Sequence, residues 1–138
     1  MAKIYELRSS PADTEKITIN LGYVDLGHID LMVREGFYSN RSDFIRTAVR
    51  NQLAAHADTA KKAASRLTLE LGLRTFARKD LEEIKAAGER LKIRVLGLVV
   101  IADDVTPDLA RATIESITVL GALHASAEVK TALADRLG

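Results

Sequence analysis

Between Lys16 and Leu21 the chain alternates polar and apolar residues, Lys-Ile-Thr-Ile-Asn-Leu, with β-branched side chains prominent. That is the two-residue period of a strand with one buried face, so Ile17, Ile19 and Leu21 are expected to point inward and Lys16, Thr18 and Asn20 outward. Two helical segments, not a second strand, follow it at once. Leu26, Ile29, Met32 and Val33 recur at spacings of three and four and stop at Gly36, which predicts a first amphipathic helix. Ser39 or Asn40 then offers a helix cap, with Asp43 three residues after Asn40 in capping-box position. Ile45, Ala48, Val49, Gln52 and Leu53 give a second helix a largely apolar stripe. A lone strand leaves its hydrogen-bonding edge unpaired. The simplest partner is a second copy of the chain, giving an antiparallel ribbon across a two-fold axis with the helices of both copies beneath it.

The outer face of such a ribbon presents Lys16, Thr18 and Asn20 twice. A two-stranded ribbon fits the major groove of duplex DNA, where Lys donates to guanine acceptors, Asn bonds adenine bidentately and Thr bonds or touches a thymine methyl. The exposed amides at the start of the second helix, around Ser39, Asn40, Arg41 and Ser42, suit a DNA phosphate, with the Arg41 guanidinium and the Ser42 hydroxyl beside them. Arg46 and Arg50, further along the helix, are possible backbone contacts or solvated helix charges.

The tract Tyr38-Ser39-Asn40-Arg41-Ser42-Asp43, followed by Ile45-Arg46 and Ala48-Val49-Arg50, resembles the CopG-like branch of the ribbon-helix-helix family of bacterial DNA-binding proteins. The resemblance covers about residues 15 to 53 without a gap. It implies that Lys16, Thr18 and Asn20 take the family's base-contacting strand positions and that Arg41 and Ser42 fall at the phosphate-contacting start of the second helix. Two departures stand in the chain. Gly22 replaces a frequent Pro before the first helix, and Gly27 sits inside that helix, where Gly is disfavoured by about 1 kcal/mol relative to Ala.

The second half has a different texture. Val95-Leu96-Gly97-Leu98 and Val119-Leu120-Gly121-Ala122 are near copies, and Val105, Leu109 and Ala110 recur as Val129, Leu133 and Ala134. A weaker third copy begins at Leu71-Gly72. Each unit reads as a short apolar strand, a loop and a helix, with Thr106-Pro107-Asp108 as the clearest helix start and Ser126 and Glu128 in like positions later. Units of this kind bury their apolar faces by stacking. The expected fold class is therefore α+β. It comprises an N-terminal arm over 1–14, a ribbon-helix-helix module over 15–56, a helical linker over 57–66 and a strand-helix repeat domain over 67–138, with a short parallel sheet and a leucine-rich-repeat-like geometry.

Charge and residue counts narrow the function classes. With 20 Lys and Arg against 19 Asp and Glu the chain carries +1, too little for a protein that coats nucleic acid by charge alone. The excess is local, since Arg41, Arg46 and Arg50 face only Asp43 between Asn40 and His56. With 4% aromatics and no Trp, base-stacking platforms for single strands are disfavoured. The absence of Cys removes disulfides, thiolate sites and thiol nucleophiles. It also excludes the nickel site of nickel-responsive relatives, which uses several His and a Cys, because His28, His56 and His124 are scattered. Asp103, Asp104 and Asp108 surround a helix entrance, where acids favour the dipole. No phosphate-cradling Gly-rich loop with Lys, Gly-x-Ser-x-Gly elbow or His-Glu-x-x-His is present. The expectation is a non-enzymatic cytoplasmic transcriptional regulator, a repressor, that binds double-stranded DNA as a homodimer. It is expected to use no cofactor, catalytic residue, metal or membrane, with residues 67–138 serving higher assembly or a protein partner. An autoregulatory antitoxin and a DNA-tethered filament protein are the alternatives.

Overall fold

The structure is a computed structural model and describes residues 14–138; most of the arm expected over 1–14 lies outside the described residues. The chain divides into two compact units, one ending at Ala60 and one spanning Lys61–Gly138.

The first unit has two helices, α1 (Tyr23–Arg34) and α2 (Arg41–Ala55). Helix α1 ends where Gly36 takes φ +85°, a conformation that only glycine adopts without strain. His56 interrupts the helical run, and α3 (Ala57–Arg66) resumes it. The strand expected at Lys16–Leu21 is not formed in the single chain: residues 14–22 are irregular and exposed. A strand exists only when its backbone groups are paired, and these residues have no strand partner among the described residues. The inward role expected for Ile17, Ile19 and Leu21 is unfulfilled for the same reason, with Ile17 78% exposed. Among the described residues of this unit Ile29 alone is a buried apolar side chain, while Val24, Leu31, Val49 and Leu53 are exposed.

The second unit closes its own core. Strands β1 (Glu70–Phe76), β2 (Leu91–Ile101) and β3 (Ile114–His124) form a parallel sheet in the order β1-β2-β3. The first two are followed by α4 (Arg78–Ala86) and α5 (Pro107–Thr113), and β3 by α6 (Ala127–Ala132) and a 3-10 turn at Ala134–Arg136. Strands β2 and β3 run for 11 residues each, longer than the short apolar tracts of the repeat. Right-handed crossovers place consecutive helices on one face of a parallel sheet, and the core reflects this. Ile93, Val95, Val99 and Ile101 of β2 and Ile114 and Ile117 of β3 are buried with Leu81, Leu109, Val129 and Leu133 from the helices.

Local chemistry fixes the helix starts. The Thr106 hydroxyl accepts from the Leu109 amide and the Ser126 hydroxyl from the Val129 amide, each at 3.2 Å. Asp80 accepts from the Ala77 amide at 2.9 Å, and Asp104 from the Arg78 amide at 3.1 Å. Asp104 thus ties the start of α4 to the loop after β2. The C-terminus is drawn onto the sheet: Arg136 donates to the Ile114 carbonyl at 2.7 Å, and the Gly138 amide to the Ile117 carbonyl at 2.9 Å.

The repeated Leu-Gly pairs are in register, with Leu71 beside Leu96 beside Leu120 and Gly72 beside Gly97 beside Gly121. All three glycines have positive φ, +124°, +141° and +126°. A Cβ on Gly97 would stand 2.2 Å from the Gly72 carbonyl oxygen, and one on Gly121 would stand 2.0 Å from that of Gly97. Around Gly72 the space is open. Replacing Gly97 or Gly121 by Ala therefore adds a backbone clash to the strain of the φ angle, whereas Gly72→Ala meets the strain alone, of the order of 1–3 kcal/mol. Urea unfolding should show Gly97→Ala and Gly121→Ala losing clearly more stability than Gly72→Ala. Equal losses at all three positions would contradict the close approach.

Candidate nucleic-acid interface

The start of α2 is held by its own sequence. The Asn40 side chain accepts from the Asp43 amide at 2.8 Å, and the Asp43 carboxylate accepts from the Ser39 amide at 2.9 Å. The reciprocal bond reaches one residue further back than a standard capping box, to the residue before the cap. Tyr38 packs edge-to-face on Phe44, centroids 4.9 Å apart, pinning the entering chain against the first turn of the helix. The arrangement leaves the amides of Arg41 and Ser42, the first two helical residues, without intrahelical acceptors, and the helix dipole makes that end attractive to an anion.

Arg41 is already engaged. Its Nε and one terminal nitrogen donate to the two carboxylate oxygens of Asp30 on α1, both at 2.8 Å. This fork-to-fork geometry is the strong form of an arginine–carboxylate pair. Hydrogen bonding from Arg41 holds the Asp30 carboxyl below its ordinary value, and the same bonds raise the guanidinium's. Both groups are about half exposed, so the pair is worth little to folding but decides where Arg41 points. Nothing in the local sequence signals Asp30 in this role. The pair spans 11 residues and exists only because α1 and α2 pack together.

The remaining candidates divide between exposed positions and a groove. Lys16, Thr18 and Asn20 are all exposed on the extended segment. Lys16, with Ile17 and Ile19, borders a groove whose other wall carries Ser42, Arg46 and Arg50 from α2. This brings one candidate base-reading residue beside three candidate backbone-contacting ones; Thr18 and Asn20 lie outside the groove lining. A second, apolar groove of about 600 Å³ lies against the stripe of α2, with Ile19 and Leu21 on one side and Ile45, Ala48, Val49 and Gln52 on the other. His28 stands at its edge. Among the described residues no group of three or more His, Asp or Glu is placed to hold a metal ion, and no helix is long and apolar enough to cross a membrane.

The geometry can do two things chemically. Backbone amides and arginines along α2 can fix an anionic backbone, and short polar side chains on an extended segment can reach into a groove beside it. A family model described as the ribbon-helix-helix transcriptional regulator family matches residues 12–130. No curated protein and no solved structure matches the chain.

Proposed function

The chain belongs to the ribbon-helix-helix transcriptional regulator family, a family of DNA-binding regulators, and from that premise we propose that it acts as a homodimeric, sequence-specific repressor. In this reading two copies pair their Lys16–Leu21 segments into an antiparallel ribbon. The ribbon enters the major groove with Lys16, Thr18 and Asn20 on the bases, while Ser39 to Ser42 and the arginines of α2 hold the flanking phosphates. The observation that carries it is the unfinished state of the first unit. Its apolar side chains Ile17, Val49 and Leu53 are exposed in a single copy, and Ile19 and Leu21 line an open apolar groove.

Fully burying an aliphatic side chain contributes about 1.5–3 kcal/mol; scaled by their exposure of 37% to 78%, these five together represent about 4–9 kcal/mol, comparable with the whole stability of a small domain. A second copy supplies both the missing strand edge and the missing apolar surface. The second unit, with its own closed core, serves assembly in this reading. An antitoxin's toxin-wrapping segment is commonly disordered when free, and a self-packed core is not what such a segment needs.

Two binding experiments test the reading. Asn20→Ala should cost about 1–3 kcal/mol on the cognate operator and relax the base preference at one position; an equal loss on operator and random DNA would overturn the base-reading role. Asp30→Asn releases Arg41 for phosphate and should tighten binding by about two- to fivefold on operator and random DNA alike, the measure of an exposed ion pair. The gain should vanish when Arg41 is Ala in both proteins compared. Weaker binding by Asp30→Asn would show that the carboxylate positions Arg41 for DNA rather than competing for it.

A further inference from the structure

The second unit covers its sheet with helices on one face only. Facing the helices are Ile93, Val95, Val99 and Ile101 of β2. On the opposite face two successive rows cross all three strands: Leu71, Leu96 and Leu120, then Leu73, Leu98 and Ala122. Leu71 is 81% exposed and Leu120 50%. Parallel sheets are ordinarily covered on both faces, and strands buried on both faces read as continuous apolar runs. The stretch from Val95 to Ala102 is such a run, apolar at every position but Gly97, although only alternate residues meet the helices.

Strand β1 shows that this face is kept apolar for its own sake. On its helix side β1 has Glu70 and Arg74, an ion pair, at positions where β2 has Val95 and Val99. Charges of that kind on an edge strand discourage a further strand from adding there. On the other side the same strand retains Leu71 and Leu73. The edge is thus guarded while the face remains apolar.

We propose that this open face is covered by the same face of a second copy, the two sheets packing against each other within the dimer. The inference rests on the reading that residues 15–53 dimerise, because that pairing ties a second identical sheet to the first. The face is self-complementary in charge. Its cations, Lys92 and Arg94, lie together at the start of β2, where Lys92 stands 3.9 Å from Glu115 and the Arg94 guanidinium donates to the Leu67 carbonyl at 3.0 Å; the two central rows carry no charge to repel their own copies. Its size fits the same role. Three strands about 4.8 Å apart and seven residues rising about 3.3 Å each give roughly 350 Å², under half the about 800 Å² a side of an independent complex. Such a contact is weak between free molecules and effective between tethered ones, where the local concentration reaches about the millimolar range.

The chain has no Cys, so single cysteines report proximity without background. In the full-length protein, Leu98→Cys at the centre of the face should be joined into covalent dimer by a short bis-maleimide in near-complete yield, unchanged on tenfold dilution. Glu82→Cys on α4 should stay below one tenth of that yield. Leu71→Glu with Leu120→Glu, both at exposed positions that tolerate charge in a folded monomer, should lower the Leu98→Cys yield at least tenfold while sedimentation still gives a dimer and circular dichroism is unchanged. A wild-type dimer whose Leu98→Cys variant is joined no better than Glu82→Cys, or only in a dilution-sensitive way, overturns the face pairing and leaves the N-terminal dimer standing. Dissociation to monomers by the double Glu variant overturns the N-terminal dimer and leaves the face pairing standing. A monomeric wild-type protein overturns both.

Discussion

The first unit depends on one shortage: an extended segment and two short helices have more apolar surface than they can cover. Ile29 is buried, but Ile17, Ile19, Leu31, Val49 and Leu53 remain largely exposed, and residues 14–22 belong to no strand. No rearrangement within so short a stretch supplies both a strand edge and an apolar lid. In the proposed dimer a symmetric partner supplies the two together, and symmetry then duplicates whatever the outer face of the strand displays. Dimerisation and groove reading are in this sense one requirement, because pairing that buries Ile17, Ile19 and Leu21 turns Lys16, Thr18 and Asn20 to the opposite side.

The second unit solves the opposite problem. Its helix-side core is closed, and the glycine ladder sets how tightly its strands approach. At Gly97 and Gly121 any side chain would strike the carbonyl of the preceding strand. These positions are therefore fixed by backbone geometry rather than by side-chain packing. Near neutrality over the whole chain is compatible with DNA binding because the arginines gather along α2. The Asp30–Arg41 pair reduces the free positive charge at its start.

Features governed by neighbours in sequence were legible from it. The Asn40–Asp43 cap, the Thr106 and Ser126 caps and the stop at Gly36 each follow from side-chain chemistry within four residues. The spacing of the Leu-Gly pairs carried further, since those pairs stand side by side in the sheet. What depends on packing was not legible. Asp30 is an ordinary helical acid until α1 and α2 meet, and the stacking of Tyr38 on Phe44 needs the turn between them. The strand at Lys16–Leu21 was legible as a pattern, yet the single chain does not form it; in the proposed dimer its hydrogen-bonding partner is a second copy. The open face of the sheet was hidden for a different reason: a continuous apolar run does not say which side the helices of its own chain will cover.

The central claim is that residues 15–22 become a strand only in the company of a second copy. Amide hydrogen exchange of the full-length protein over these residues, followed from micromolar to nanomolar concentration, tests it most directly. Alternate amides should be protected at high concentration by about a hundredfold or more, as for hydrogen bonds released only by opening of the pair, with protection lost together with the dimer on dilution. Exchange at the rate of a free peptide at every concentration would contradict the account.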